Sequence, residues 1–172
     1  EFILEGPKLL DECLRADPSR INAVYALEAW LKDHKALLDQ IPSAIVEPVS
    51  PEELEKISTL QTPNQVLALA QKPPPAEPPA RIDMPVLVLD AIQDPGNLGT
   101  LIRTADWFGL SHVVCGLGCA DQFNPKVVQS TMGSILRMQV SYTELGPWIR
   151  SLGDVPVYAT MLEGRNIFTM DP

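Results

Sequence analysis

The chain has 172 residues, is 45% hydrophobic and carries a formal net charge of −9. This size suits one domain or two small ones, and the absence of any run of about 18 apolar residues excludes a membrane-spanning helix. Neither half is basic, with 7 basic and 12 acidic residues over 1–72 (−5) and 6 basic and 10 acidic over 73–172 (−4), which argues against a general nucleic-acid binder.

The first half alternates strand and helix patterns. We predict strands at 2–4, 22–27, 44–49 and 65–70. Helices between these strands are predicted to begin at Pro7, Glu28 and Pro51, and the helix that begins at Glu28 is predicted to run over 28–38. Ser50 and Glu53 form a capping-box pattern around Pro51. The pattern predicts a small α/β domain over residues 1–72 and does not indicate its function.

A proline-rich segment divides the chain. Residues 73–85 contain six prolines, which fix φ and lack the amide proton that a helix or a central strand requires. We therefore predict an extended, stiff linker there and a domain boundary between the two halves.

The second half repeats a strand–helix pattern from residue 86 onward. Strands are predicted at 86–90, 111–115, 136–140 and 155–160, and helices at 98–108, from Asn124 to about 132, and around 144–152. Gly109 is placed to end the first of these helices in the left-handed conformation. The repetition predicts an α/β fold with a doubly wound, mostly parallel sheet.

Cysteine and histidine residues have no metal-ligand spacing. Cys115 and Cys119 lack a second pair or a nearby histidine, and Cys13 is remote in sequence, so no zinc site is predicted. We interpret the cysteines as reduced thiols of a cytoplasmic protein. His34 and His112 are isolated, and we interpret both as structural residues.

The loop before the helix at 98–108 is the most informative segment. Ligands of open α/β sheets bind beyond the carboxyl ends of the strands, where this loop is expected. Asn97 is a candidate N-cap of the helix. Asn97, Thr100, Arg103 and Thr104 form a polar stripe on the helix. The Arg103 guanidinium beside the helix N-terminus makes a plausible phosphate site. The alternative is an ordinary cap and a surface arginine, and the spacing alone does not exclude it.

Two further interpretations apply to this loop, a nucleotide-binding turn and a carboxylate pair. It lacks the Gly-x-Gly-x-x-Gly pattern of dinucleotide-binding proteins and the lysine of a P-loop. Asp90 and Asp94 could form a carboxylate pair, but a strand end followed by an Asp–Pro turn fits their positions better.

Several segments resemble the SpoU (TrmH-like) family of RNA ribose 2′-O-methyltransferases. The first motif of that family resembles Asp94–Ala105 (DPGNLGTLIRTA), and the segment that follows it resembles Asn124–Arg137 (NPKVVQSTMGSILR). The start and end of its substrate-binding domain resemble Phe2–Lys8 (FILEGPK) and Gln65–Ala68 (QVLA). The resemblance covers nearly the whole chain.

The resemblance implies methyl transfer from S-adenosylmethionine to a ribose 2′-hydroxyl of ribosomal or transfer RNA. It also implies a homodimer, a small N-terminal RNA-binding domain over 1–72 and a catalytic domain over 86–172. The catalytic domain is expected to be a SPOUT-type trefoil knot. The second and third motifs of the family have no match in this sequence, so we expect a chain that is truncated before the knot is complete.

Site residues follow from the matched positions. Arg103 corresponds to the essential arginine of the family and Asn97 to the asparagine of its first motif. Ala159, Thr160 and Gly164 match the first of the loops that hold the cofactor. We expect Arg103 to bind a phosphate and stabilise the developing oxyanion, because a guanidinium is effectively always protonated.

Three hypotheses remain at this point. The first is the methyltransferase, the second is a non-catalytic RNA-binding protein on the same scaffold, and the third is a nucleotide-dependent oxidoreductase. The missing glycine fingerprint counts against the third.

Overall fold

A computed structural model of the chain describes residues 1–41, 44–161, 163, 164 and 166. It places strands and helices in two groups, one before and one after the proline-rich segment. In chain order the elements are β1 (Phe2–Glu5), α1 (Pro7–Ala16), β2 (Ile21–Ala26), α2 (Glu28–Asp33), α3 (Lys35–Leu38), β3 (Ile45–Pro48), α4 (Pro51–Ile57), β4 (Val66–Ala70), β5 (Leu87–Leu89), α5 (Pro95–Trp107), β6 (His112–Gly116), α6 (Pro125–Thr131), β7 (Gln139–Thr143) and α7 (Leu145–Ser151).

The first sheet has the strand order β1-β4-β2-β3. Strand β4 pairs antiparallel with both β1 and β2, and β3 extends the sheet by pairing parallel to β2. The predicted capping box at α4 is confirmed. The Glu53 amide donates to Ser50 Oγ at 3.2 Å, and the Ser50 amide donates to Glu53 Oε2 at 2.9 Å. The small α/β domain expected from the pattern is therefore present.

The helix predicted over 28–38 is divided into α2 and α3 at His34. The imidazole of His34 stacks on the Trp30 indole, with ring centroids 4.1 Å apart and planes 9° apart. Its Nδ1 lies 2.8 Å from the Trp30 carbonyl oxygen. A side chain that interacts with the carbonyl of the preceding turn offers the backbone a local alternative to a continuous helix.

The second sheet is parallel and has the order β5-β6-β7. The connections contain α5 and α6, which pack against each other, and α6 also contacts β1 of the first sheet. The strand predicted at 155–160 is wrong, because residues 155–161 carry no regular secondary structure. Pro156 cannot donate to a ladder, and no described strand pairs with this segment.

The close approach of α5 and α6 depends on Gly99. A Cβ at this position would lie 2.6 Å from the carbonyl oxygen of Val127 and 2.6 Å from Ser130 Cβ. Both distances are below van der Waals contact, and a helix backbone cannot yield as the end of a flexible side chain can. Glycine is thus the residue that allows α5 to lie directly on α6.

The two halves are joined by charged and aromatic contacts. Arg137 donates from Nε to Asp106 on α5 at 2.9 Å and from Nη1 to Glu12 on α1 at 3.0 Å. The Phe2 and Phe123 ring centroids are 4.9 Å apart. One hydrophobic cluster accordingly contains buried residues of both halves.

The proline-rich segment packs along the second sheet. Ala76 forms an isolated parallel bridge with Ser141 of β7, and Trp148 of α7 donates from Nε1 to the Pro79 carbonyl at 3.0 Å. Residues 73–85 otherwise contain no helix or strand. The segment therefore lies against the second sheet.

We predict that Gly99→Ala destabilises the protein. Helix propensity alone would favour alanine by about 1 kcal/mol, but overpacking against the α6 backbone costs about 1–3 kcal/mol or more. Urea unfolding should give a lower free energy of unfolding than wild type. The matched control is Gly146→Ala on α7, where the nearest atom to an added Cβ is Arg150 Nη1 at 3.5 Å. That variant should be unchanged or more stable. Equal stability gains in both variants would contradict the role of Gly99.

We predict that Arg137→Ala lowers the free energy of unfolding by about 1–2 kcal/mol, since the substitution removes charge-assisted hydrogen bonds to two carboxylates. Burial of the Asp106 carboxylate raises its pKa, but the hydrogen bonds from Arg137 and Ser134 outweigh burial and hold that pKa below its usual value. The control is Arg15→Ala, which breaks an exposed pair with Asp11 on α1 and should cost about 0.5 kcal/mol or less. Equal losses, measured by urea unfolding, would show that Arg137 does not couple the halves.

We predict that stability falls as the pH drops from about 6.5, the unperturbed histidine pKa. Burial lowers the pKa of His112, whose Nε2 lies 2.9 Å from Ser141 Oγ. Between about pH 6.5 and the lower folded-state pKa, His112 takes up a proton in the unfolded chain but not in the folded protein. The free energy of unfolding therefore decreases as the pH falls through that window. Thermal melts between pH 7.5 and 5.5 should show this slope, and His112→Gln should reduce it. An unchanged slope in the variant would contradict the prediction.

Candidate functional site

Helix α5 begins earlier than the sequence predicted. Asp94 is its N-cap, and the Asp94 carboxylate accepts from the Asn97 amide at 2.7 Å, with Pro95 at the first helical position. The prediction that Asn97 caps the helix is therefore wrong. Aspartate and proline provide the cap and the first turn three residues upstream. Asn97 instead lies within the first turn of α5, with its side chain exposed.

The predicted polar stripe of α5 is present and faces away from the core. Leu98, Ile102 and Ala105 are buried, whereas Asn97 and Arg103 are exposed. Two threonines of the stripe use their hydroxyls within the helix, donating to backbone carbonyl oxygens one turn earlier (Thr100 to Gly96 at 2.9 Å, Thr104 to Thr100 at 2.8 Å). Among the described residues, the donors of the stripe that remain available are thus the side-chain carboxamide of Asn97 and the guanidinium of Arg103.

Arg103 differs from most other cations of the second half. In the part of the chain that the structure describes, Arg81, Lys126 and Arg137 each have an acidic side chain within 4.0 Å, at 2.7, 3.7 and 2.6 Å respectively. Arg103 and Arg150 have no such partner among these residues. In a chain of net charge −9, an exposed arginine without a carboxylate is free to bind an anion such as a phosphate.

The loops that follow β5 and β6 are joined at the carboxyl edge of the second sheet. The Ala120 amide donates to the Ile92 carbonyl at 2.9 Å, and the Ile92 amide donates to Cys119 Sγ at 3.3 Å. These bonds bring the two loops together at the edge of a parallel sheet where ligands bind.

Tyr142 of β7 fixes the loop after β6. Its hydroxyl accepts from the Gln122 amide at 2.8 Å and donates to the Ala120 carbonyl at 2.7 Å. Burial, together with the neighbouring Cys115, raises the pKa of Tyr142. The phenol therefore stays protonated at neutral pH and can act as donor and acceptor at once.

The three residues matched to the cofactor loop lie after α7. Ala159, Thr160 and Gly164 are exposed and lie outside regular secondary structure. Within the described residues, no hydrogen bond or ion pair links them to Asn97 or Arg103. Residues 162, 165 and 167–172 lie outside the described part of the chain. The described residues of this segment therefore do not enclose a cofactor.

A cleft that was not predicted from the sequence lies between the two halves. The cleft has a volume of about 540 Å³. One wall is the turn after α4 and the other is α6, and the lining residues are Thr59, Leu60, Gln61, Asn124, Pro125, Lys126, Gln129 and Ser130. Because its walls come from segments about 65 residues apart, no local pattern could have indicated it.

Two other classes of site were sought in the described part of the chain. There, no group of three or more histidine, cysteine, aspartate or glutamate residues could hold a metal ion. Among the helices that the structure describes, none has the length and hydropathy needed to cross a bilayer.

Comparison with known proteins covers both halves. Residues 84–171 match the model of the SpoU rRNA methylase family, and residues 3–76 match the model of the RNA 2′-O ribose methyltransferase substrate-binding domain. The chain is 35% identical over 165 residues to the 23S rRNA (guanosine(2553)-2′-O)-methyltransferase RlmP of Bacillus subtilis. It is 30% identical over 146 residues to the mitochondrial rRNA methyltransferase 3 of Homo sapiens.

Solved structures have the same α/β fold. A protein from Porphyromonas gingivalis assigned to the TrmH family of RNA methyltransferases superimposes with a TM-score of 0.79 over 99% of this chain, at 34% identity. An rRNA methyltransferase from Sinorhizobium meliloti, solved with bound AdoMet, gives a TM-score of 0.67 over 87% of this chain, at 26% identity.

The relatives are longer than this chain. It spans 63% of the B. subtilis protein, 34% of the human protein and 66% of the P. gingivalis structure. The fold class and the family resemblance derived from the sequence are both confirmed by these matches. The chain belongs to the SpoU rRNA methylase family.

Proposed function

We propose that this protein transfers a methyl group from S-adenosylmethionine to a ribose 2′-hydroxyl of RNA, with ribosomal RNA as the substrate and transfer RNA as the alternative. Family membership supports this, as do the names of the relatives from B. subtilis and S. meliloti, which specify ribose methylation and AdoMet binding for those proteins. Residues 1–72 would bind the RNA and residues 86–172 would carry the catalytic site, with 73–85 connecting them.

The proposal depends above all on the position of Arg103. This guanidinium is exposed on α5 and has no acidic partner among the described residues. Its planar fork can pair with two oxygens of the phosphate next to the reacting ribose. Because arginine stays protonated, it stabilises the negative charge that develops on the 2′-oxygen rather than acting as the base.

Asn97 is proposed to position the RNA on the same helix. It lies six residues before Arg103 on the polar stripe, about 9 Å along the helix axis at 1.5 Å per residue. Its carboxamide offers both a donor and an acceptor to ribose hydroxyls. Two contacts at this separation would fix the orientation of the ribose, and orientation provides a large part of the rate of a transfer reaction.

The cofactor site is proposed to include Ala159, Thr160 and Gly164. The described residues of that segment are exposed and do not complete a pocket.

We also propose that the protein acts as a homodimer in the cytoplasm. The bacterial rRNA-modifying relative supports the location, and free cysteines at all three positions are compatible with it.

We predict that Arg103→Ala lowers kcat/KM for RNA methylation by about 10²–10³-fold, as expected for the loss of a group that stabilises an oxyanion. The thermal midpoint should stay unchanged, because Arg103 is exposed and has no ion pair among the described residues. Arg103→Lys should recover little activity, since an ammonium cannot pair with two oxygens at once. The assay is tritium transfer from labelled S-adenosylmethionine to ribosomal RNA transcribed in vitro.

The matched control is Arg150→Ala. Arg150 is the other exposed arginine of the second half without an acidic partner in the described chain, and its removal should leave kcat/KM unchanged. Methylation by Arg103→Ala within twofold of wild type would contradict the proposed role. RNA binding by wild type without any methyl transfer, indifferent to Arg103→Ala and to the cofactor, would favour the non-catalytic RNA-binding alternative.

A further inference from the structure

The cleft between the two halves lies beside the start of α5. Lys126, on its α6 wall, has its Nζ 3.7 Å from Asp94 Oδ2, and a Cβ at Gly96 would lie 3.6 Å from Lys126 Cε. The cleft therefore opens next to the turn that leads to Asn97 and Arg103. A ligand in it would lie close to the first turn of α5, which carries Asn97.

The wall formed by the first half is held by a buried carboxylate. Glu5 is only 5% exposed, and its carboxylate accepts from the hydroxyl of Ser58. It also accepts from the Thr59 amide at 3.1 Å and the Thr59 hydroxyl at 2.9 Å. A carboxylate is rarely buried unless it is fully hydrogen-bonded. Here its bonds fix the turn that carries Thr59, Leu60 and Gln61 into the cleft.

The lining offers hydrogen-bonding groups that the protein itself does not use. The carboxamides of Gln61 and Gln129 form no side-chain hydrogen bond within the described residues. They come from opposite walls. Each carboxamide presents both a donor and an acceptor, which are the groups that recognise the edge of a nucleobase.

The charge of the lining also differs from that of the chain. The protein has 22 acidic and 13 basic residues, yet the cleft is lined by one lysine and no acidic residue. The side chain of Lys126 is 65% exposed, so its ammonium can contact a second anion while it remains near Asp94. These features suit a polar ligand that carries a phosphate.

We propose that this cleft binds one unpaired RNA nucleotide next to the nucleotide that is methylated. Gln61 and Gln129 would read the base, and Lys126 would bind its phosphate. The volume of about 540 Å³ lies within the range of pockets that hold a single small ligand and is too small for a duplex. Sequence-specific recognition of RNA uses such unpaired bases. This inference rests on the proposed function, and it assigns part of the substrate specificity to a site formed by both halves.

The test uses the full-length protein and ribosomal RNA transcribed in vitro, which carries no modification. The double variant Gln61→Ala/Gln129→Ala should raise the KM for RNA about tenfold, the size expected from the loss of a good base contact, and change kcat less than twofold. The control Gln71→Ala removes an exposed glutamine whose described bonds use only its backbone, and should leave both constants unchanged. Thermal midpoints of all three proteins should agree.

A second measurement does not depend on methyl transfer. A photo-reactive benzophenone amino acid at position 61 or 129 should cross-link to the RNA under ultraviolet light, whereas the same group at position 71 should not. Primer extension should map the cross-link to a nucleotide adjacent to the methylated one. A KM within twofold of the Gln71→Ala value, or equal cross-linking at position 71, would overturn the proposal. Failure of wild type to methylate RNA would instead overturn the proposed function, and the cross-link would still test the cleft.

Discussion

The contact between α5 and α6 at Gly99 is the constraint on which the candidate site depends. An added Cβ would lie 2.6 Å from the α6 backbone, so the two helices approach as closely as helix backbones allow. This packing buries Leu98 and Ile102 and turns the opposite face of α5 outward. Asn97 and Arg103 are exposed because the other face is fixed. The polar stripe is thus a consequence of core packing, and its guanidinium has no acidic partner among the described residues.

The same helices connect the second half to the first half. Helix α6 touches β1, and Arg137 joins Asp106 of α5 to Glu12 of α1. These contacts hold the two halves together beside the cleft that they form. Under the proposed function, a first half held in this way would present RNA to α5 in one orientation. Rigid placement of this kind is what a positioning mechanism requires.

Local signals in the sequence predicted the structure best. The capping box at Ser50 and Glu53 formed as predicted because its bonds join residues three apart. Gly109 adopts a φ of 76° after α5, as its position indicated. The cap of α5 was misassigned to Asn97 because asparagine is a good cap residue, whereas the Asp94–Pro95 pair upstream was interpreted only as a turn. It is both a turn and a helix start.

Features that depend on long-range contacts could not be predicted. One local feature also escaped the helical pattern of 28–38, namely the break at His34, where the imidazole stacks on Trp30 and contacts the Trp30 carbonyl oxygen. The cleft joins residues near 60 to residues near 126, and only the folded chain brings them together. For the candidate site, Arg103 and Asn97 were proposed from the family resemblance, and their roles stay a prediction. That both side chains are exposed and able to bind a ligand follows only from the hydrogen bonds and ion pairs around α5.

Analysis of the reaction product tests the central claim most directly. Unmodified ribosomal RNA, treated with the wild-type protein and S-adenosylmethionine, can be digested to nucleosides and analysed by mass spectrometry. A site that presents a guanidinium to a ribose-phosphate should yield a 2′-O-methylated nucleoside, and the modified position should resist alkaline cleavage, which requires a free 2′-hydroxyl. A nucleoside methylated on its base, with the ribose unchanged, would contradict this account of the α5 site.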